Sequence, residues 1–140
     1  MKKYKIGYTT GVFDMFHVGH LNILQNAKKY CDFLIVGVTT DELVSYKNKK
    51  AIIPFEERLR IVENIKCVDK VVPQINMNKI EAWNNLLFDV VFVGDDWKGT
   101  LKWNEIESEF NKINVDVIYF PYTKGTSSTM LRDTLIKINT

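Results

Sequence analysis

Two stretches, FLIVGVTT (Phe33–Thr40) and DVVFVGDD (Asp89–Asp96), hold nearly unbroken apolar runs rich in valine. A strand with one wet face alternates apolar and polar residues, so a strand apolar along its length is covered on both faces. That confines the chain to a sheet sandwiched between helices. The rest of the sequence supplies them. YKIGYTT (Tyr4–Thr10) reads as a first strand stopped by Gly11. From about His17 to Tyr30, apolar residues fall at Val18, Leu21, Ile23, Leu24 and Ala27, close to helical period. Pro54 opens a second helix, PFEERLRIVENIK, with two glutamates in its first turn. Lys70–Pro73 is a short strand, Lys79–Leu87 and Trp103–Lys112 are helical, and Val115–Pro121 is a strand. A last helix, capped by Ser127 or Ser128, runs to about Ile138. Strand and helix alternate throughout. The pattern predicts one α/β domain over residues 1–140, a Rossmann-like, doubly wound, mostly parallel five-stranded sheet.

Such sheets bind ligands beyond the carboxyl ends of their strands. The unusual segments fall there: GVFDMFHVGH after the first strand, TTDELVSYKNKK after the second, GDDWKG after the fourth and YTKGTSST after the fifth. Other partners are disfavoured. The net charge of +2 is small and the lysines are dispersed, which argues against nucleic acid. No apolar run approaches the ~20 residues of a membrane span, and MKKYKIGYTT reads as a strand rather than a signal peptide. Cys31 and Cys67 show no CxxC spacing, as expected of reduced thiols in a cytoplasmic protein.

GVFDMFHVGH contains both histidines of the chain, His17 and His20. At i and i+3 on the start of a helix they share a face with its unpaired N–H groups and partial positive charge. Gly11 and Gly19 allow a ligand close to the backbone. Imidazoles so placed suit the stabilisation of charge developing on a phosphoryl group. A helix cap and a metal pair are the other readings of the same residues, although HxxH lacks the glutamate and third ligand of a zinc enzyme. No metal-ligating set is assigned.

The full motif closely resembles the (T/V)FDxxHxGH signature of a nucleotidyltransferase superfamily. KNKKAIIPFEER, VGDDWKG and YTKGTSST resemble segments of small bacterial glycerol-3-phosphate cytidylyltransferases and of the related phosphocholine and phosphoethanolamine enzymes, in the same order along nearly the whole chain. The resemblance implies an enzyme that joins CTP, accompanied by Mg²⁺, to a phosphorylated small alcohol, releasing pyrophosphate, with glycerol 3-phosphate the leading acceptor and a surface polymer such as teichoic acid or capsule the destination. It also implies a homodimer. Residue by residue, it implies that His17 and His20 contact the CTP phosphates, and that Gly11 and the peptide groups of Val12, Phe13, Val18 and Gly19 line the nucleotide site. Asp14 would orient the loop or a histidine, or make an ordinary Asx turn. Lys47 would meet the acceptor's phosphate and Lys49 the triphosphate, while Arg58 would bind phosphate as a catalytic guanidinium. Asp95, Asp96 and Trp97 would shape the base pocket, with Trp97 packing rather than stacking. Tyr122, Thr123, Lys124, Gly125, Thr126, Ser127, Ser128 and Thr129 would cradle phosphate.

The chain departs from the family pattern in two places. Tyr122 stands where relatives carry an arginine, with Lys124 two positions later as a substitute charge. In QINMNKIEAW, Lys79 is one position out of register with a lysine of glycerol-phosphate enzymes; it is taken as acceptor-binding. Other phosphorylated acceptors (phosphocholine, phosphoethanolamine, a phosphorylated amino-acid amide), ATP in place of CTP, and a non-catalytic nucleotide-binding module are the competing readings.

Overall fold

The structure, a computed structural model, describes residues 3–46, 49–121 and 128–139. In chain order the elements are β1 (Tyr4–Gly11), α1 (Val18–Lys28), β2 (Cys31–Thr39), α2 (Asp41–Tyr46), α3 (Phe55–Glu63), β3 (Lys70–Gln74), α4 (Lys79–Leu86), β4 (Val90–Gly94), a single 3-10 turn (Asp95–Trp97), α5 (Leu101–Asn111), β5 (Asp116–Phe120) and α6 (Ser128–Asn139). The five strands form one sheet in the order β3-β2-β1-β4-β5. Every pairing in it is parallel, so the expected mostly parallel sheet is wholly so among the described residues.

The continuous apolar strands are explained by burial on both sides. Leu34, Val36 and Val38 of β2 face one core with Val90 and Phe92 of β4, beneath Leu24 and Ala27 of α1 and Val62 of α3. Ile35 and Val91, one residue out of phase, face a second core with Tyr8, Phe88 and Phe110, covered by α4 and α5. β1 lies at the centre, and its close neighbours dictate a glycine. A Cβ on Gly7 would lie 2.6 Å from the Phe92 ring and 2.7 Å from Cys31 Sγ.

The segment after β2, read from sequence as a loop, contains the six-residue helix α2. Thr40 Oγ1 accepts from Leu43 N–H at 3.3 Å and starts it. The order of strands runs outward in one direction from β1 through β2 to β3, and in the other through β4 to β5. The crevice between β1 and β4, at their carboxyl ends, is where such a sheet holds a ligand.

Candidate active site

Beyond β1 the backbone turns through two left-handed non-glycine residues, Phe13 (φ 55°) and Met15 (φ 49°). Such conformations cost energy and persist only where neighbours enforce them. Asp14, between them and 2% exposed, does so. Its Oδ2 accepts from Ile52 N–H and its Oδ1 from Ile53 N–H, both at 2.9 Å. Arg132 of α6 donates to Oδ2 at 3.1 Å, and Ser128 Oγ donates to the Asp14 carbonyl at 2.5 Å. Burial alone would raise this carboxyl's pKa, but the two N–H groups and Arg132 outweigh it and hold it below the ordinary value. Asp14 thus joins the β1 loop, the segment before α3 and the start of α6; the Asx turn is not its role.

The histidines follow at the start of α1. His17 is the N-cap: its Nδ1 accepts from Gly19 N–H at 3.0 Å. His20, three residues on, reaches back so that its Nδ1 accepts from His17 N–H at 3.2 Å. This is a capping box built from two imidazoles, in place of the usual hydroxyl and carboxamide. It settles the tautomers, because an Nδ1 that accepts carries no proton and the remaining proton sits on Nε2. The rings lie 4.0 Å apart, with His20 also against Phe13 and Phe16. Burial, then His17 nearby, push the His20 pKa down to about 4 despite the opposing charge of Asp14, and burial lowers that of His17. Both rings are therefore neutral at pH 7, each with one Nε2–H to give.

These elements surround a cavity of about 460 Å³. On its β1 side Gly11, Val12, Phe13, Asp14 and His20 line it. Toward β2 and β3 the wall is Thr39, Lys49, Gln74, Met77 and Lys79. Toward β4 and α6 it is Gly94, Asp96, Trp97, Trp103, Ser128, Thr129 and Arg132. A Cβ on Gly94 would meet Asp96 Oδ1 at 2.8 Å, so glycine lets that carboxylate fold back over the end of β4.

Several expectations from sequence are corrected. Arg58 does not reach the cavity. Its guanidinium is 1% exposed and donates from Nε to the Ile53 carbonyl, from one terminal nitrogen to the Val12 and Thr39 carbonyls, and from the other to Asp41 Oδ1 at 2.6 Å. A fork with that many donors committed inside the protein binds the loops rather than a phosphate. Val18 is 53% exposed and Gly19 spends its N–H on His17, so neither lines the cavity, nor do Asp95 and His17. The His17 ring stands 4.0 Å from that of His20, which does line it, and its Nε2 is not used by the capping box. Trp97 is 45% exposed at the cavity, not packed as expected. Lys47, Tyr122, Thr123, Lys124, Gly125, Thr126 and Ser127 lie outside the described residues.

Arg132, Gln74, Thr39 and Trp103 line the cavity without having been singled out. Arg132 carried a signal: it stands four residues after Ser128, on the same face of α6. Its Nε is buried with no hydrogen-bond partner among the described residues, on a side chain that lines the cavity. Among the described residues no group of three or more His, Cys, Asp or Glu could hold a metal ion. Among the described residues, Asp96 is the one carboxylate at the cavity wall besides the fully engaged Asp14.

Residues 8–134 match the family described as cytidylyltransferase-like. The chain is 40% identical over 125 residues to the glycerol-3-phosphate cytidylyltransferase of Bacillus spizizenii, covering 89% of this chain and 92% of that one. It is 34% identical over 128 residues to the enzyme of the same name from Staphylococcus aureus, covering 91% and 92%. Among solved structures, a lipopolysaccharide core biosynthesis protein from Thermoplasma volcanium superposes with a TM-score of 0.73 at 27% identity, over 88% of this chain and 99% of that one. The pantoate-beta-alanine ligase of Francisella tularensis shares the fold, with a TM-score of 0.66 at 16% identity over 99% and 70%.

Proposed function

The chain belongs to the cytidylyltransferase-like family, and on that premise we propose that it transfers the cytidylyl group of CTP to glycerol 3-phosphate. An oxygen of the acceptor's phosphate forms a bond to the α-phosphorus of CTP as the bond to the bridging oxygen breaks. The products are CDP-glycerol and pyrophosphate, and no covalent enzyme intermediate is involved. The observation that carries this reading is the imidazole pair. Two neutral rings, each with its Nδ1 accepting a backbone N–H, present fixed Nε2–H donors, with His20 on the cavity, where negative charge builds on the transferring phosphoryl group. Arg132 and the hydroxyls of Ser128 and Thr129 add donors at the far wall, and Lys49 offsets the repulsion between two polyanions.

The Mg²⁺ that would accompany the triphosphate is a hard cation, which one or two protein carboxylates beside the phosphates would hold. Asp96 fits that role, whereas Asp14 has no oxygen to spare. Bound there, the metal would neutralise phosphate charge. Lys47, Lys124 and the Gly125–Ser127 segment complete the phosphate contacts in this reading. The enzyme works as a homodimer in the cytoplasm, a reading supported by the family resemblance and by two free cysteines. The CDP-glycerol is destined for a cell-surface polymer.

Pyrophosphate release tests the proposal. Purified protein with Mg²⁺ is given CTP or ATP and a panel of phosphorylated acceptors. Turnover with CTP and glycerol 3-phosphate is expected. A preference for ATP, or CTP binding without turnover on any acceptor, overturns it.

A further inference from the structure

Gly37 interrupts the apolar run of β2, and a glycine inside a strand marks the close approach of another group. That group is Tyr8 of β1. A Cβ on Gly37 would lie 2.7 Å from the Tyr8 hydroxyl, so the phenol lies across β2. Tyr8 is 3% exposed, and its ring stacks on Phe88 at 4.8 Å. Among the described residues its hydroxyl has no hydrogen-bond partner, and burial alone pushes its pKa up to about 12. It is a neutral phenol at pH 7, able to donate and to accept. Buried hydroxyls are nearly always paired, so one without a protein partner calls for an explanation.

Tyr8 lines a second cavity, of about 190 Å³, between β3 and α4, and does not line the reaction cavity. Val72, Ala82 and Leu86 give the second cavity apolar walls, while Asn76, Glu81 and Asn85 add polar groups. Gln74 and Lys79 line both cavities and stand between them. Size and chemistry restrict what fits. The volume is below the roughly 300 Å³ at which sites for drug-sized ligands begin, which excludes a nucleotide. Glu81 and Lys79 bring one charge of each sign, so the walls offer no net charge to an ion. Tyr8 is the one aromatic ring among the described lining residues and is already stacked on Phe88, so it offers no free platform to a heterocycle. What remains is a set of groups that both donate and accept: the phenol and the carboxamides of Gln74, Asn76 and Asn85.

We propose that this cavity is a second ligand site, for a small neutral polyol whose hydroxyls pair with Tyr8 and these carboxamides, and that its occupancy weakens binding of the phosphorylated acceptor next door. The coupling runs through the shared partition. Gln74 Nε2 points to Met77 Sδ at 3.7 Å, a weak acceptor, so a polyol hydroxyl draws the amide readily. A donor drawn to one cavity is lost to the other, and the effect is reciprocal. The site itself does not depend on the cytidylyltransferase reading; the coupling rests on it.

Ligand-observed NMR titration with xylitol tests the site, with cyclohexanol and choline as probes that lack the array of hydroxyls. Xylitol is expected to bind at least tenfold tighter than either, and to bind still when CTP is present. Tyr8→Phe, which removes only the hydroxyl, is expected to weaken xylitol ~2- to 10-fold, as for one hydrogen bond lost. Ala82→Leu, which fills the cavity from α4, is expected to weaken it more than tenfold. No xylitol binding by the wild type, or unchanged affinity in either variant, overturns the site; where one variant fails to fold, the other decides. Tighter binding of cyclohexanol or choline overturns the ligand class. In the pyrophosphate-release assay, xylitol is expected to raise KM for glycerol 3-phosphate severalfold in the wild type and not in Ala82→Leu. An equal rise in both places xylitol in the reaction cavity and overturns the second site, and no rise in the wild type overturns the coupling. Absence of turnover under every condition overturns the reaction and leaves the binding result standing.

Discussion

The two histidines do separate jobs with their two nitrogens. Nδ1 of each closes the start of α1, and Nε2 is left for the ligand. Substitution can split these roles. Asparagine is a good N-cap, and glutamine at the third helical position completes a capping box. His17→Asn and His20→Gln are therefore expected to keep the thermal midpoint near that of the wild type. Both should lose ~100-fold or more in kcat, in the range for removing one transition-state donor. Near-normal turnover in either would remove it from the charge-stabilising pair. The same pairing has a pH signature. The unfolded chain's His20 takes a proton near 6.5, the folded one's only at about 4. The imidazole thus contributes stability in full above pH 6.5, and that contribution is lost as the pH falls toward 4. Urea midpoints measured across that interval should fall more steeply for the wild type than for His20→Gln; equal slopes would contradict the assignment. The positions of both histidines were legible in GVFDMFHVGH, but not that they cap each other, since nothing in residue type says which nitrogen faces the backbone.

Elements are where sequence reading did best and also where it misjudged Arg58. The strands were legible because burial on both faces leaves unbroken valine and isoleucine. α2 was not, because six residues are too few to show a helical period. Arg58 was assigned to phosphate because PFEER matches a family segment whose arginine is directed at the site, and because Glu56 and Glu57 are wrongly spaced to pair with it. Its partners are carbonyls at the end of β1, the end of β2 and the entry to α3, and a carbonyl is identical in every residue type. A buried guanidinium that ties three segments is not replaced by an ammonium, which has no planar fork. Arg58→Lys and Arg58→Ala are both expected to destabilise, the latter by about 1–3 kcal/mol, the range for leaving buried acceptors without their donor. Chemical denaturation should show the loss. An Arg58→Ala protein of normal stability with impaired phosphate binding would restore the sequence-based role.

At the scale of the whole chain, the sheet order makes the site. Helices diverge on either side of β1 and β4, and the loops that follow the strands meet over the gap. This was predictable from the alternation of elements alone, down to the edge of the sheet that would carry the ligand. The division of the cavity was not, because Gln74 and Arg132 stand more than fifty residues apart and residue type alone does not say that either faces the cavity. Since the cavity wall draws on β1, β2, β3 and β4 and on α1, α2, α4, α5 and α6, filling it should stabilise the entire domain. CTP at a hundred times its dissociation constant is expected to add about 2.7 kcal/mol, with ATP at equal concentration adding less. Equal thermal shifts with the two nucleotides would remove the base preference.

The imidazole capping box has one more consequence. With each Nδ1 lone pair already filled by a backbone N–H, neither ring can take up a proton without opening the first turn of α1. The pair can steady charge but cannot relay hydrogen ions, so nothing in it deprotonates the attacking nucleophile. The acidic limb of the rate therefore follows the second ionisation of the acceptor's own monoester, at about 6, and acceptors of differing acidity should slide that limb along the pH axis while the protein stays unchanged.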